Sequence, residues 1–361
     1  MYKFKDIIEE VEERNTELRY GLDDIVGVTI EKGLIPTIAN LTQTSLDKFY
    51  IVKPETFVYN PRTHGVRLGM GFNNTSNIYI TSWNNVAFRV TKEAQNIVIP
   101  QYLWLYFCRP IWDRLTNFLA WGSSTIVFAW NDFLNIEIDL PSIERQREIV
   151  SEYETLTNRI HLNEQMIQNL EATAQALYRK MFVDNIDKEN LPESWRMGTL
   201  GEVATFKYGK LADKQPKSNE NPYPVFSGYA ITGYTNEYTL MEPTIVIIAR
   251  GDAGTGRICM SPRKCFLSNL AISIETKDKA IKEYLYYHLL ESDTMSLRSG
   301  SAQAQITINN VEPFEIMIPA KEICSDFAYK VDTLDKNIVL HKQENEKLTE
   351  LQSLLLAKMG Q

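Results

Sequence analysis

The chain has 361 residues, 38 Lys+Arg against 46 Asp+Glu for a formal net charge of -8, and 44% hydrophobic residues. That is enough for two domains with cores of their own, and the overall acid excess excludes a uniformly basic, nucleic-acid-coating protein. Four cysteines without a CxxC pair, no His at metal-ligand spacing, no charged-then-apolar leader and no apolar run near the roughly 18 residues of a bilayer span exclude zinc, disulfide and membrane scaffolds, so a soluble, reduced, cytoplasmic protein is expected.

Phe4, Ile7, Ile8 and Val11 fall at helical spacing and predict a short amphipathic helix within residues 1–16. Residues 20–100 are rich in β-branched and aromatic side chains cut by Asn, Gly and Pro. Within them Phe57-Val58-Tyr59, Asn77-Ile78-Tyr79-Ile80 and Val86-Ala87-Phe88-Arg89-Val90 predict strands. Pro100 then opens a helix over Gln101–Leu119. Gly122–Thr125 is a polar loop, and Ile136–Leu140 a short strand closed by Pro141.

The first long helix follows, with an apolar seam stepping by four and three through Ile149, Tyr153, Leu156, Ile160, Asn163, Ile167, Leu170, Ala174, Leu177 and Met181. Asp184–Ser194 breaks it. Val203–Phe206, Thr244–Ala249 and Ala271–Ile274 predict strands and Lys282–Leu290 a helix. Gly300–Thr307 is a second polar loop. A second long helix after Pro319 carries the seam Phe327, Val331, Leu334, Ile338, His341, Asn345, Leu348, Gln352, Leu355 and Met359.

These two halves are copies. Gly122, Asn131, Glu137, Pro141, Glu144, Leu156, Ile160, Leu170 and Met181 recur as Gly300, Asn309, Glu315, Pro319, Glu322, Leu334, Ile338, Leu348 and Met359, at a constant shift of 178 residues. The globular stretch before each shared segment has diverged. Each seam spans about 34 residues, or about 50 Å of rod at roughly 1.5 Å per residue, and neither helix is stable with such a stripe bare. Antiparallel pairing within the chain covers both stripes, and self-association between molecules is the alternative. Asn163, His341 and Asn345 are the candidates for fixing register, because a buried polar group tolerates few alignments.

Neither a GxxxxGK[ST] loop nor an HExxH pair is present, and His64, His161, His288 and His341 are scattered. Gly251-Asp252-Ala253-Gly254-Thr255-Gly256 follows a strand as a nucleotide loop would, but the strand-like Arg257–Met260 after it points to a hairpin turn. Asn221-Pro222-Tyr223-Pro224 lacks the second Pro of an amino-methyltransferase motif and reads as a loop. Charge is unevenly placed: Ile25–Asn135 holds nine Lys/Arg against six Asp/Glu, whereas Ser142–Pro192 holds six against nine.

The loops of the first globular stretch combine guanidinium, amide and hydroxyl groups in Asn60, Arg62, Thr63, Arg67, Asn73, Asn74, Trp83 and Asn84. The second offers Lys207, Lys210, Arg250, Arg257, Arg263, Lys264, Asn269, Gln303 and Gln305. Such groups read base edges, Arg forking to guanine and Asn or Gln to adenine. Taken singly, each also suits an ordinary turn.

Leu191-Pro192-Glu193-Ser194-Trp195 with Leu200-Gly201-Glu202-Val203 and Gly209, Pro141-Ser142-Ile143-Glu144-Arg145-Gln146 with Ile149, Phe57–Arg62 and Tyr223–Gly228 together resemble the DNA-specificity subunit of type I restriction-modification systems over nearly the whole chain. The second copy departs in one place, with Cys324 where the family's Gln would stand. The resemblance implies an α+β protein, in which two mixed α/β target-recognition domains are separated by two long helices that form an antiparallel coiled coil with a pseudo-twofold internal repeat. The expected boundaries are 1–141, 142–183, 184–319 and 320–361, alternating recognition domain and helical spacer.

The function implied is that of a non-catalytic subunit reading an asymmetric, two-part DNA target. Double-stranded DNA, methyltransferase subunits and motor-nuclease subunits would be its partners, directing adenine methylation and restriction. No cofactor is expected on this chain; S-adenosylmethionine, ATP and Mg²⁺ are expected on the partner subunits. An interaction scaffold or silent variant, and a freestanding methyltransferase or nuclease, are the other readings.

Overall fold

A computed structural model describes the chain apart from residues 38–40, 42–43, 64–66, 122–125, 185, 188, 252–253, 300–304 and 360–361, and apart from the side chain of Thr63. Both predicted polar loops, Gly122–Thr125 and most of Gly300–Thr307, lie outside the described residues. The chain divides into two units: Met1–Asn163 with Gln343–Gln361, and Glu164–Lys342.

In unit 1 the chain runs through β1 (Tyr2–Lys3), β2 (Ile8–Glu10), β3 (Val26–Thr29), β4 (Gly33–Pro36), β5 (Tyr50–Val52), β6 (Phe57–Tyr59), β7 (Arg62–Thr63), β8 (Met70–Phe72), β9 (Tyr79–Thr81) and β10 (Val86–Val90). Helices α1 (Pro100–Phe107) and α2 (Pro110–Leu119), then β11 (Ile126–Val127), α3 (Trp130–Asn135) and β12 (Glu137–Ile138), lead to the long α4 (Ile143–Phe182). Six strands form one antiparallel sheet in the order β2-β10-β6-β8-β3-β4. Phe57 is its centre. Its ring stacks on Phe72 and Phe88 at 4.5 and 5.0 Å, and Phe4, Phe107, Trp112 and Phe133 close the core around it.

Two predictions fail here for physical reasons. No helix opens the chain: β1, a 3-10 turn over Phe4–Asp6 and β2 stand in its place. Spacing of 4, 7, 8 and 11 also suits a strand entering a turn, and burial of Phe4, Ile7 and Ile8 with the pairing of Val90 to Ile8 decides the outcome. The single helix predicted over Gln101–Leu119 is broken between Phe107 and Pro110, because proline has no N–H for a continuing helix and clashes with the preceding turn.

Unit 2 carries β13 (Arg196–Thr199), α5 (Leu200–Val203), β14 (Ala204–Tyr208), β15 (Tyr223–Phe226), β16 (Ile231–Thr235), β17 (Ile245–Ile248), β18 (Ile258–Met260), β19 (Phe266–Leu267) and β20 (Ala271–Thr276). Then come α6 (Lys282–Glu291), α7 (Ile308–Val311), β21 (Glu315–Ile318) and the long α8 (Lys321–Lys358). A four-stranded antiparallel sheet has the order β14-β20-β17-β18, and a three-stranded one the order β16-β15-β19. The Gly251–Gly256 segment joins the antiparallel pair β17 and β18, as the hairpin reading expects.

The repeat survives in the backbone. Strands β12 and β21, each paired antiparallel with the first strand of its unit, stand just before a long helix, and the helices begin at Ile143 and Lys321, the same 178-residue offset. Within unit 1 the two helices run antiparallel: Arg159 bonds to Glu344 at 2.9 Å, and Gln352 donates to Thr157 at 2.8 Å. Within unit 2 they do so again, with Glu171 near Lys342 and Tyr178 and Phe182 against Phe327.

The predicted seams are the inward faces. Ile149, Ile167, Ala174, Phe327, Val331 and Ile338 are buried, and the remaining seam positions are buried or half-buried. Asn163, 2% exposed, donates to Asn345 at 2.8 Å and to Glu344 at 3.0 Å. Two of the three register candidates therefore meet, and His341 is half-buried on α8.

The two helix starts differ at one position. Buried Gln146 accepts from Ile99 N–H and donates to the carbonyls of Ile97 and Pro141, which ties α4 to the connection before α1. Its equivalent Cys324 is buried among apolar side chains of unit 2 and needs no such partners.

Asp335 of α8 carries a carboxyl pushed up to about 6, chiefly by burial, with Glu283 and Asp332 adding to it. A folded-state pKa above the unfolded value means that the folded protein binds the proton more tightly, so stability falls as pH rises from about 4 through 6. Asp335→Asn is expected to raise the melting temperature at pH 7.5 and to leave it unchanged below about pH 4. Thermal melts across that range check this; a variant less stable at neutral pH would contradict it.

Candidate nucleic-acid interface

Register decides which candidate residues share an end of the unit 1 sheet. Tyr59 stands opposite Met70 and Phe57 opposite Phe72, so the connection from Asn60 to Gly69 leaves one end while Asn73 and Asn74 leave the other. Val86 stands opposite Tyr59, which brings the turn with Trp83 and Asn84 to the end occupied by Asn60. Arg62 and Arg67 are exposed there, and among the described residues neither has an ion pair. Asn60 shapes this connection, its side-chain oxygen accepting from Arg62 N–H at 3.0 Å. Thr63 lies on β7 beside Ile126, and His64 falls outside the described residues.

Asn73 has its side-chain groups engaged within the fold. It is buried, its amide donates to the carbonyls of Val52 and Asn77, and its oxygen accepts from the N–H and hydroxyl of Thr75. The polar side chain that suggested base contact is consumed by its own turn, which also delays the predicted 77–80 strand to Tyr79. Asn74 is exposed at this second end. Trp83 packs edge-on against Phe49 at 5.3 Å, and Asn84 is exposed beside it.

In unit 2, backbone bonds knot several loops together at one end of the four-stranded sheet. Gly209 N–H donates to Ala271, Lys210 N–H to Leu267, Arg250 N–H to Leu270 and Ile306 N–H to Ala249. Lys210, Arg250, Arg257, Asn269 and Gln305 are thereby gathered. Gly209 permits the knot, since a Cβ there would lie 2.0 Å from the Ser268 carbonyl oxygen. Thr294 hydroxyl donates to Gly256 and Arg298 Nε to Thr255, at 2.6 and 2.7 Å, pinning the β17–β18 tip.

Lys207, Arg263 and Lys264 stay outside this cluster. Lys207 is on β14 with its ammonium 3.2 Å from Glu275. Arg263 and Lys264 lie past the opposite end of the β17–β18 hairpin, where Ile245 faces Met260, and Arg263 pairs with Glu242 at 2.7 Å. Gln303 falls outside the described residues. Among those described, Lys210, Arg250 and Arg257 have no ion pair. The gathered side chains offer hydrogen bonding by cations and amides, and burial pushes the thiols of Cys108, Cys259 and Cys324 up to about 12, which keeps them protonated.

The sequence profile of the type I restriction modification DNA specificity domain matches residues 20–172 and 192–350. The chain belongs to this family. It is 21% identical to the type I restriction enzyme HindI specificity subunit of Haemophilus influenzae, over 75% of this chain and 79% of that protein. It is 22% identical to the MjaIX specificity subunit of Methanocaldococcus jannaschii, over 73% of this chain and 68% of that one. The crystal structure of a type I restriction-modification S subunit from M. genitalium shares the fold, with a TM-score of 0.59 and 17% identity over 99% of this chain and 95% of the other.

Recognition of a DNA sequence is thus this specificity chain's role. These relatives bear the names of specificity subunits, so neither the scaffold reading nor the freestanding-enzyme reading gains support. Among the described residues, no helix is long and apolar enough to cross a membrane.

Three residues near these sheet ends escaped the sequence reading. Arg298 and Trp121 stand directly beside the two polar loops that the repeat marks, so their signal lies in position along the repeat rather than in residue type. Lys32 had no local signal. Its Nζ reaches the Leu68 carbonyl at 2.7 Å and Asp113 at 2.6 Å, with both charged side chains largely buried at 8% and 13% exposed. This pair holds the root of the Asn60–Gly69 connection next to Arg67.

Asp113→Ala leaves Lys32 buried and unpaired and is expected to cost about 3–5 kcal/mol, whereas Lys32→Met with Asp113→Leu is expected to be close to neutral. The double variant should nevertheless speed amide exchange at Leu68 and Gly69. Urea melts with hydrogen exchange test this; a single variant costing under about 1 kcal/mol would contradict a tethering role.

Proposed function

We propose that this specificity chain reads an asymmetric, interrupted DNA target, one unit to each half. Unit 1 takes its half through the sheet end that bears Asn60, Arg62, Arg67, Trp83 and Asn84. Unit 2 takes the other through Lys210, Arg250, Arg257, Asn269 and Gln305. The observation that carries this is the contrast within the repeat: strand β12 and helix α4 recur as β21 and α8 at one offset, while the loops that gather exposed cations at one end of each unit's sheet are unlike one another. Dissimilar loops on a duplicated frame suit dissimilar half-sites.

The chain performs no covalent step in this reading. Methyltransferase subunits carrying S-adenosylmethionine modify adenine, and motor-nuclease subunits using ATP and Mg²⁺ cut; this chain supplies the address. Because the assembly's field comes from every subunit, a net charge of -8 on one chain is compatible with DNA binding. The paired helices act as the spacer between the two read sequences.

Arg62→Ala or Arg67→Ala is expected to relax one half-site only, by about 1–3 kcal/mol for each lost bidentate base contact. Binding to targets randomised in either half measures it, and equal loss at both halves would contradict the assignment. Removing one matched heptad from α4 and α8, about 10 Å of helix, is expected to change the preferred gap by about three base pairs. Selection from gapped target libraries reads this out, and an unchanged gap rejects the spacer.

A further inference from the structure

Unit 1 leaves two aromatic side chains that its fold does not use, one of them close to Arg62 through the strand pairing. Trp121 is 74% exposed and Phe118, on the last turn of α2, is 85% exposed. Burying an aromatic ring is worth more than burying almost any other side chain, so a monomer gains nothing by leaving two of them in water. Isolated exposed apolar residues need no explanation; the placement of this tryptophan does.

Trp121 and Val127 exchange both backbone hydrogen bonds, at 3.1 and 3.0 Å, and Val127 is in turn the cross-strand partner of Arg62. Directly paired residues in antiparallel strands project their side chains from the same face. Trp121, Val127 and Arg62 therefore form one row across a three-stranded ribbon. The neighbouring Phe128 is fully buried in the unit 1 core, so alternation turns the row away from that core. The result is a guanidinium and an indole on one outward face, a single strand apart.

We propose that this row is a DNA-contact surface in which Trp121 stacks on a base of the half-site read by unit 1, beside the base edge taken by Arg62. The inference rests on the reading that unit 1 faces DNA through Arg62, and it adds a contact of a different kind. An indole has no donor or acceptor pattern able to tell four base pairs apart, but it does reward a step whose stack opens easily, as pyrimidine–purine steps do. Arg62 would supply hydrogen-bond readout and Trp121 selectivity for a deformable step.

The test uses the full chain, in whichever assembly binds its mapped target, and duplexes carrying 2-aminopurine in place of single adenines through that half-site. Binding is expected to change 2-aminopurine fluorescence severalfold at one position. Trp121→Ala should abolish that signal and weaken binding by roughly ten- to a hundredfold, with an unchanged melting temperature, and Trp121→Phe should restore most of both. Arg62→Ala is the control. If Arg62→Ala relaxes this half-site while Trp121→Ala leaves fluorescence and affinity as they were, the stacking inference falls and the reading of unit 1 stands. If neither substitution affects this half-site, both fall.

Discussion

Everything in this chain follows from two helices of 40 and 38 residues, each with an apolar stripe along its length. A stripe of that kind cannot be left in water, and isolated helices draw most of their stability from covering it. Here each helix covers the other, antiparallel, within both units. The same helices also close the cores. Ile149, Val150 and Leu356 join the aromatic cluster of unit 1, while Ala174, Tyr178, Phe182, Phe327 and Val331 join that of unit 2. Each fully buried side chain of this size contributes about 1.5–3 kcal/mol, so the helices are parts of the domains they adjoin. One consequence is topological: unit 1 is completed by residues from Gln343 onward.

Polar groups then choose one alignment among the many that grease alone would permit. Asn163 and Asn345 satisfy each other inside the seam, and shifting either helix by a turn would strand both amides. Gln146 performs the analogous task between α4 and the body of unit 1. Its counterpart Cys324 packs among apolar side chains instead, while Lys321 at the start of α8 pairs with Asp278 at 2.7 Å. The duplicated frame is conservative where it must fold and free where nothing else depends on the loops.

Long-range periodicity made the frame legible from residues alone. A seam repeated over ten positions, twice, leaves little room for another answer, and Asn163 and Asn345 announced themselves as polar interruptions of it. Short elements were harder. Four apolar residues near the N-terminus fit a helix and a strand-turn-strand equally, and only the partner strand β10 settles which. Pro110 was visible but outweighed by the apolar run around it. The recognition residues were the least legible, because Asn, Arg and Ser serve turns and ligands alike. Asn73 spends its side chain on its own turn, Arg263 and Lys264 lie at the opposite end of a hairpin from Arg257, and Lys32 meets Leu68 and Asp113, the latter 81 residues away.

Net charge alone argued against a nucleic-acid partner, and only its uneven distribution is compatible with one. The exposed cations proposed to read DNA are few and lie at one end of each unit's sheet, while Ser142–Pro192 carries an acid excess. The most direct test of the account is a map of every modified adenine in a genome whose host expresses the complete system. The account expects one two-part motif, its halves unrelated in sequence and separated by a fixed run of unspecified bases. A single contiguous motif, or a palindrome with identical halves, would contradict it.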